Sequence, residues 1–223
     1  MIRVHHLNNS RSQRILWLLE ELGLEYEVVR YQRDAKTMLA PASLKQIHPL
    51  GKSPLLEVEG KVLAESGAII EYLVDHFDKQ RTLSPAHDDE ARHRFNYWLH
   101  YAEGSAMPPL LMSLIFNKVK SSPMPFFIKP IARGIADKVM RSFITPQLDL
   151  HFDYLESELS KQAWFGGESF SAADIQMSFP VEAAAARLGF AKRPRLQQFL
   201  DTIHARPAYQ RALQQGGPYQ LLG

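Results

Sequence analysis

Two serines stand where the first predicted strand gives way to the first predicted helix. In the segment HHLNNSRSQRILWLLEEL, Ser10 and Ser12 follow a short apolar strand and precede a run with helical spacing. Serine is favoured at a helix start because its hydroxyl satisfies backbone N–H groups that have no intrahelical acceptor. The same hydroxyl, beside the positive end of a helix, can donate to a bound anion. From the residues alone, capping is the favoured interpretation, and either serine could supply it.

A second segment, HPLGKSPLLEVEGKVLAESGAIIEYL, combines a proline turn, a hairpin and a helix start within residues 48–73. A glycine turn at 58–61 separates two apolar runs, 55–58 and 62–64, which predicts an antiparallel hairpin. Pro54 has no N–H and stands just before the first of these strands. We therefore expect it at an edge or a bend.

The helix start after this hairpin is a predicted anion seat. Glu65 and Ser66 open a helical pattern in which the apolar residues fall on one face. The first N–H groups of a helix have no intrahelical acceptor, and the Ser66 hydroxyl lies beside them. This arrangement is suited to holding a carboxylate.

Composition limits the chemistry that this chain can perform. Its 223 residues include 26 basic and 24 acidic side chains, and the formal net charge of +2 gives no overall field favouring nucleic acid or an anionic membrane. The chain has no cysteine, which excludes disulfides, thiolate metal sites and a cysteine nucleophile. Any thiol chemistry must use a thiol that the substrate brings.

Other site classes lack support in the sequence. The nine histidines show no metal-ligand spacing, so we predict no metal site. Neither a GxGxxG motif nor a P-loop occurs, so a nucleotide cofactor is not indicated. The segment MIRVHHLNN lacks the apolar core of a secretory signal, and the longest apolar stretch, near 107–116, is too short to span a bilayer. We predict a cytoplasmic protein with no membrane or nucleic-acid partner.

The pattern of elements predicts an α/β domain followed by an all-α domain. The predicted strands and helices of the first half give the order β-α-β and then β-β-α, which suits a small mixed four-stranded sheet with helices on both faces. We place strands at 2–7, 26–31, 55–58 and 62–64, and helices at 10–22, 40–47 and 65 onward.

The second half shows helical spacing and no good strand, which predicts a helical bundle. We expect helices at 88–101 and at 131–159, the latter interrupted at Pro146, with an irregular proline-rich loop at 121–130. In FSAADIQM, Ser171 and Asp174 form a capping-box pattern, and Phe170 and Ile175 are placed for a hydrophobic staple, so we assign this motif a structural role. The predicted domains are 1–78 and 88–223, with a polar linker at 79–87.

The chain resembles the glutathione S-transferases over nearly its whole length. The resemblance rests on residues 48–73, on the serine-bearing strand-to-helix junction, on FSAADIQM and on the ending ARPAYQRAL. It implies a thioredoxin-like N-terminal domain, a C-terminal helical domain and glutathione as co-substrate, with no permanently bound cofactor. A homodimer is also implied. The absence of a tyrosine at the first junction and of any cysteine makes the serine-type, bacterial or fungal-like members the match.

The resemblance also implies a glutathione site. The proline matching Pro54 is cis in the family, and the backbone of the preceding residue, here Ser53, pairs with the cysteinyl part of glutathione. The residues matching Glu65 and Ser66 hold the γ-glutamyl end. Lys52 matches a position that often reaches the glycyl carboxylate.

The catalytic residue implied by the resemblance is a hydroxyl aimed at the glutathione sulfur. Ser10 fits best when Arg14 and the following apolar helix are matched, and Ser12 is the alternative. Lowering a thiol pKa of about 8.5 by about two units needs roughly 2.7 kcal/mol of thiolate stabilisation. A hydroxyl donor and a helix N-terminus together supply energy of that order. Arg11 is a weaker candidate that could raise the local potential or contact glutathione.

The second substrate should lie where the helical half faces the glutathione site. Aromatic and apolar residues at helical spacing are usually core residues, so this assignment competes with simple packing; the candidates are Tyr101, Glu103, Met107, Leu111 and Phe116. The expected activity is attack of glutathione thiolate on small hydrophobic electrophiles, with hydroperoxide reduction also chemically possible. The competing class is a noncatalytic ligand-binding or interaction protein that keeps the fold.

Overall fold

The N-terminal part is built on a mixed four-stranded sheet. The structure is a computed structural model that describes residues 1–86 and 90–221. The strand order is β2-β1-β3-β4, with β1 parallel to β2 and antiparallel to β3, and β3 antiparallel to β4. The strands are β1 Ile2–Leu7, β2 Glu27–Tyr31, β3 Leu55–Val58 and β4 Lys61–Ala64. The predicted mixed sheet and its hairpin are confirmed.

The hairpin turn has the geometry that its residues favour. Glu59 has a φ of 51° and Gly60 a φ of 76°. Two consecutive positive φ values are the mark of a type I′ turn, whose twist matches that of the flanking strands. Val58 and Lys61 are therefore directly paired across the turn.

Two helices and one short turn complete this part. Helix α1 spans Ser12–Glu21, a 3₁₀ turn spans Ala42–Gln46, and helix α2 spans Ser66–Phe77. Helix α1 begins two residues later than predicted, so Ser10 lies outside it. On α2 the predicted apolar face is buried, through Ile69, Ile70, Leu73 and Val74.

The second part is helical, as predicted. In its described residues the only extended pairing is one isolated bridge between Trp164 and Gly167. Apolar side chains from both parts join one continuous buried cluster. The helices are α3 Ala91–Tyr101, α4 Met107–Ser121, α5 Lys129–Val139, α6 Thr145–Lys161, α7 Ala172–Leu188, α8 Pro194–His204 and α9 Pro207–Gly216.

Prolines shape two of these helices without breaking them. A π-helical turn, Ala102–Ala106, joins α3 to α4, and a second, Met140–Ile144, joins α5 to α6. Each turn ends two residues before a proline, Pro108 or Pro146. Proline donates no N–H and its ring crowds the preceding turn, so widening that turn lets the helix continue. The predicted interruption near Pro146 therefore lies before the proline and is a wide turn.

The segment between α2 and α3 is more firmly held than a loose linker. The buried Asp78 carboxylate accepts hydrogen bonds from the backbone N–H groups of Thr82, Leu83 and Ser84 at 2.8–3.0 Å. The Leu83 carbonyl in turn accepts from the N–H of Ala172, at the start of α7. Residue 87 of the predicted linker and residues 88–89 of the predicted helix lie outside the described residues. The domain boundaries stay a prediction.

The capping motif before α7 forms as predicted. The Ser171 N–H donates to Asp174 Oδ2 at 2.9 Å, and the two residues complete a capping box. Asp174 Oδ1 accepts from the Phe165 N–H at 2.7 Å, which ties the preceding loop to the helix. The predicted irregular loop also forms, between the end of α4 and the start of α5.

Candidate active site at the first strand-to-helix junction

Ser10, Ser12 and His6 form a buried chain of hydrogen bonds. The Ser10 and Ser12 Oγ atoms lie 2.8 Å apart, and Ser12 Oγ lies 2.9 Å from His6 Nδ1. The exposed fractions are 4% for Ser10, 0% for Ser12 and 3% for His6. The N-cap residue of α1, Arg11, makes no side-chain hydrogen bond to the first turn. Ser10 Oγ accepts instead from the N–H of Ser12, the first residue of α1, at 3.3 Å, so this hydroxyl satisfies one N–H group of the helix start.

The protonation state of His6 decides the direction in which these hydrogen bonds are donated. Burial, together with the charge of Arg30, lowers the pKa of His6 to about 4, so the ring is neutral at pH 7. A hydrogen bond with the Gly216 backbone, at the end of α9, partly opposes this shift. We assign the single ring hydrogen to Nε2, because Nδ1 faces the Ser12 hydroxyl at 2.9 Å. Nδ1 is then an acceptor, and the Ser12 hydroxyl donates to it.

The Leu7 N–H joins the proline turn at Ser53 to the serine junction at Ser12. The Leu7 N–H lies 3.2 Å from both Ser12 Oγ and Ser53 Oγ. The Ser53 hydroxyl also donates to the His5 carbonyl at 2.8 Å, so it holds the turn against β1. The peptide bond between Ser53 and Pro54 is cis. With its side chain engaged, Ser53 has its backbone left for a ligand.

The predicted anion seat at α2 is backed by a buried cation. Arg14 Nη1 donates to Ser66 Oγ at 3.0 Å, to Glu103 Oε1 at 2.7 Å and to Gln176 Oε1 at 2.9 Å. Because Ser66 Oγ accepts from the guanidinium, its own hydrogen remains available for a ligand. Glu65, next to it, is exposed and has a φ of 69°, a conformation that non-glycine residues adopt rarely.

Glu103 links this seat to the serine junction. Its carboxylate accepts from Arg11 Nε at 2.9 Å as well as from Arg14. Burial acts to raise the pKa of Glu103, but the two guanidinium groups outweigh it, and the pKa is lowered. Two cations share one anion here, which leaves a net positive charge beside Ser10. Both guanidinium carbons lie 5.1 Å from the centre of the Phe179 ring.

The predicted second-substrate residues lie in different environments. Glu103 is engaged by the two arginines, and Tyr101 is buried with its hydroxyl 2.6 Å from His151 Nδ1. Met107 is buried in the core, Phe116 is half-buried, and Leu111 is 51% exposed. Of the five, Glu103 is hydrogen-bonded to the serine junction. Lys52 is exposed ahead of the cis bond.

The sequence patterns did not indicate several of the residues at this site. Gln176 comes from α7, and Gly216 from the end of α9. Beyond α9, the Gln220 N–H donates to Asn9 Oδ1 at 2.8 Å, directly beside Ser10. Tyr219 is held by a hydrogen bond from its hydroxyl to Glu182 Oε2 at 2.7 Å. The C-terminal segment thus forms one wall of the junction.

Two other features are absent from the part of the chain that the structure describes. Within 1–86 and 90–221, no group of three or more histidine, aspartate or glutamate side chains is arranged to hold a metal ion. None of the helices in these ranges combines the length and apolarity needed to cross a membrane.

Comparison with known proteins identifies the family to which this chain belongs. The family model described as "Glutathione S-transferase, N-terminal domain" matches residues 1–75, and "Glutathione S-transferase, C-terminal domain" matches residues 137–207. Glutathione S-transferase 1 of Saccharomyces cerevisiae is 44% identical over 218 residues, which cover 94% of this chain and 92% of that protein. The chain belongs to the glutathione S-transferase family, and it is an enzyme of that family.

Solved structures share the same fold. A glutathione S-transferase from Actinobacillus pleuropneumoniae has a TM-score of 0.79 and 34% identity, over 97% of this chain and 93% of that one. A glutathione transferase homologue from Lodderomyces elongisporus, solved with two GSH per subunit, has a TM-score of 0.73 and 22% identity, over 96% of this chain and 97% of that one. The expected family and the expected fold class are both confirmed.

Proposed function

We propose that this enzyme activates the thiol of glutathione at Ser10 and directs the thiolate at small hydrophobic electrophiles. The observation that carries the proposal is the buried chain from His6 through Ser12 to Ser10, which ends in a hydroxyl beside a net positive charge. A detoxification role in the cytoplasm follows from this chemistry and from family membership.

Ser10 and not Ser12 is the proposed donor to sulfur. The Ser12 hydrogen is directed to His6 Nδ1 at 2.9 Å or to the Leu7 carbonyl at 3.3 Å, and the Ser12 oxygen accepts from the Leu7 N–H. The Ser10 hydrogen, by contrast, can point either to Ser12 Oγ or to a bound sulfur. A thiolate is the stronger acceptor because it is charged, so binding would turn the Ser10 hydroxyl toward it. Ser12 then acts as the residue that positions Ser10.

The energy required is of the right order. Ionising a glutathione thiol near neutral pH needs roughly 2.7 kcal/mol of preferential stabilisation for a shift of about two units. A charge-assisted hydrogen bond contributes about 1.5–3 kcal/mol. The positive end of the α1 dipole and the excess positive charge of Arg11 and Arg14 over Glu103 add to it.

The remaining glutathione contacts are proposed from the geometry at α2 and the cis turn. The Ser66 hydroxyl and the first N–H groups of α2 would hold the γ-glutamyl carboxylate, and the exposed Glu65 carboxylate would hold the γ-glutamyl amino group. The Ser53 backbone would pair with the cysteinyl part, and Lys52 would reach the glycyl carboxylate.

The second substrate is proposed to lie along α4. The exposed Leu111 and half-buried Phe116 supply apolar surface on the helix that follows Glu103, and Glu103 is bound to the arginine next to Ser10. An electrophile there would be attacked by thiolate with loss of its leaving group or addition to its double bond. With a hydroperoxide, the sulfur would attack the terminal oxygen and release an alcohol, and a second glutathione would displace hydroxide to give the disulfide. The enzyme is proposed to act as a homodimer.

Calorimetric titration with glutathione, read together with the ultraviolet thiolate signal at different pH values, tests this proposal. We expect binding with the thiol largely ionised near pH 7. Ser66→Ala should weaken binding about tenfold, because one hydrogen bond to a charged group is lost. Ser160→Ala, at an exposed position on α6, is the matched control and should bind like wild type. Binding without an ionised thiol, and without turnover of electrophiles or hydroperoxides, would favour the noncatalytic carrier instead.

A further inference from the structure

The loop between α4 and α5 carries the most exposed aromatic side chains of the described chain. Phe126 is 84% exposed and Phe127 is 64% exposed. Helix α5 continues this apolar surface, since Ile131 is 64% exposed and Ile135 is 60% exposed. Ala136 is the one residue of α5 that is fully buried. Large apolar groups at such exposure on a soluble enzyme mark an interaction surface.

The same segment accounts for the net positive charge of the chain. Residues 118–141 contain six of the 26 basic residues and one of the 24 acidic residues, so the segment has a net charge of +5. The remaining residues hold 20 basic and 23 acidic side chains. The single acidic residue, Asp137, forms an ion pair with Lys120 across α4 and α5. The other five basic residues are exposed: Lys118, Lys129, Arg133, Lys138 and Arg141.

The loop presents its aromatic side chains on a restrained backbone. Pro123, Pro125 and Pro130 fix their own φ angles on both sides of the phenylalanines. The Ile128 N–H donates to the Pro125 carbonyl at 3.0 Å, which closes a turn around Phe126 and Phe127. The two rings contact each other edge to face at 5.5 Å. Inserting these rings into an apolar environment would therefore cost less conformational entropy than inserting rings carried by a flexible loop.

We propose that residues 118–141, called here the basic aromatic face, bind the surface of an anionic lipid bilayer. Phe126 and Phe127 would enter the headgroup region, and the basic side chains would contact lipid phosphates and carboxylates. An anionic bilayer offers both an apolar interior and a negative surface, which are the two properties that this face combines. A second copy of the chain meeting this face symmetrically would bring +5 against +5.

This contact is peripheral and separate from catalysis. None of its aromatic or basic residues belongs to the proposed glutathione site, so the proposal does not depend on the proposed function. The low overall charge of +2 hides the face, because the rest of the chain is slightly acidic. Taken together with the proposed function, membrane binding would let lipid-soluble electrophiles meet the enzyme at the membrane surface.

Co-sedimentation of the full chain with vesicles tests the proposal. We expect binding to mixed phosphatidylserine and phosphatidylcholine vesicles at low salt, little binding to phosphatidylcholine alone, and release at high salt because surface charges are then screened. Lys118→Glu with Lys129→Glu should weaken partitioning at least about tenfold, and Phe126→Ala with Phe127→Ala should weaken it about tenfold. Leu150→Ala, at a 63% exposed position on α6, is the matched control.

Three outcomes would overturn the proposal. The first is no partitioning onto anionic vesicles at low salt, and the second is equal binding to neutral vesicles. The third is a fall in oligomer size when Phe126 and Phe127 are replaced, seen by light scattering, which would assign the face to a second copy of the chain. Turnover of a small water-soluble electrophile should be unchanged in the phenylalanine variant, and it also shows that the variant is folded.

Discussion

Helices α1 and α7 both begin beside buried serines, but the hydroxyls are used differently. At α7, Ser171 and Asp174 satisfy each other and the first turn of the helix, with Asp174 fully buried. At α1 the N-cap residue Arg11 makes no capping bond, and Ser10 Oγ accepts from the Ser12 N–H and hydrogen-bonds with Ser12 Oγ. A cap that closes on itself leaves no donor for a ligand. At α1 the N–H groups of Ser12, Gln13 and Arg14 are paired with Ser10 Oγ, the Ser10 carbonyl and the Arg11 carbonyl. The group that this start leaves for an anion is therefore the Ser10 hydroxyl hydrogen.

The two starts also differ in what lies behind them. Asp174 is surrounded by donors of its own segment, from Phe165 to Ser171. Ser10 is supported by residues far away in the chain, because Ser12 depends on His6, and His6 on Gly216 at the end of α9. The structural cap is therefore a local device, and the candidate active site is assembled by the tertiary fold.

Among the variants that test this difference between the two helix starts, Asp174→Ala is expected to have the largest effect. Its removal leaves the Phe165 N–H, the Ser171 N–H and the Ser171 hydroxyl without their acceptor in a buried place. We expect a loss of about 3 kcal/mol in the free energy of unfolding, with the glutathione affinity of the folded fraction unchanged. Urea denaturation and titration measure the two quantities. A stable variant with impaired binding would reverse the roles of the two helix starts.

The next effect in size is expected from Ser10→Ala, with Ser12→Ala as its matched partner. Ser10→Ala should lower kcat/KM about 100-fold, which corresponds to about 2.7 kcal/mol, and raise the thiol pKa of bound glutathione while stability changes little. Ser12→Ala should lower stability by about 1–2 kcal/mol, because the Leu7 N–H and His6 Nδ1 lose a partner, and lower kcat/KM less than Ser10→Ala does. The opposite ranking of kcat/KM would identify Ser12 as the donor.

The smallest expected effect is the net change in the free energy of unfolding between about pH 4 and pH 6. The folded pKa of His6, about 4, lies below its ordinary 6.5, so its contribution is present above pH 6.5 and is lost as the pH falls toward 4. Burial raises the pKa of Asp174 from 3.8 to about 6, so its contribution is present below pH 3.8 and is lost as the pH rises through 6. The two dependences oppose each other, and their sum should be nearly flat.

Two variants separate these contributions. As the pH falls from 6.5 to 4, wild type should lose stability relative to His6→Asn and gain stability relative to Asp174→Asn. Denaturant midpoints at several pH values measure both differences. Parallel curves for wild type and His6→Asn would show that His6 is not held neutral by burial, and the assigned direction of the Ser12 hydrogen bond would then fail.

Local patterns predicted the elements that carry the site. The antiparallel hairpin follows from the glycine turn at 58–61, the capping box from Ser171 and Asp174, and the buried face of α2 from apolar spacing. These features depend on residues within about one turn of one another, so a sequence window contains their cause. The interruption predicted at Pro146 is a wide turn that ends at Ile144, because a proline in the sequence indicates a disturbance but not how the helix accommodates it.

The sequence by itself determined the fold class, the family and the segments that hold the candidate site. It ranked Ser10 above Ser12 only through the family resemblance, and it gave no sign that Glu103, a predicted second-substrate residue, is bound by Arg11 and Arg14. The contacts that distinguish them join residues distant in the chain, 89 positions apart for Arg14 and Glu103 and 211 for Asn9 and Gln220. Only the tertiary structure could show these contacts, because hydrogen-bond partners and burial depend on which distant groups the packed core brings within about 3 Å.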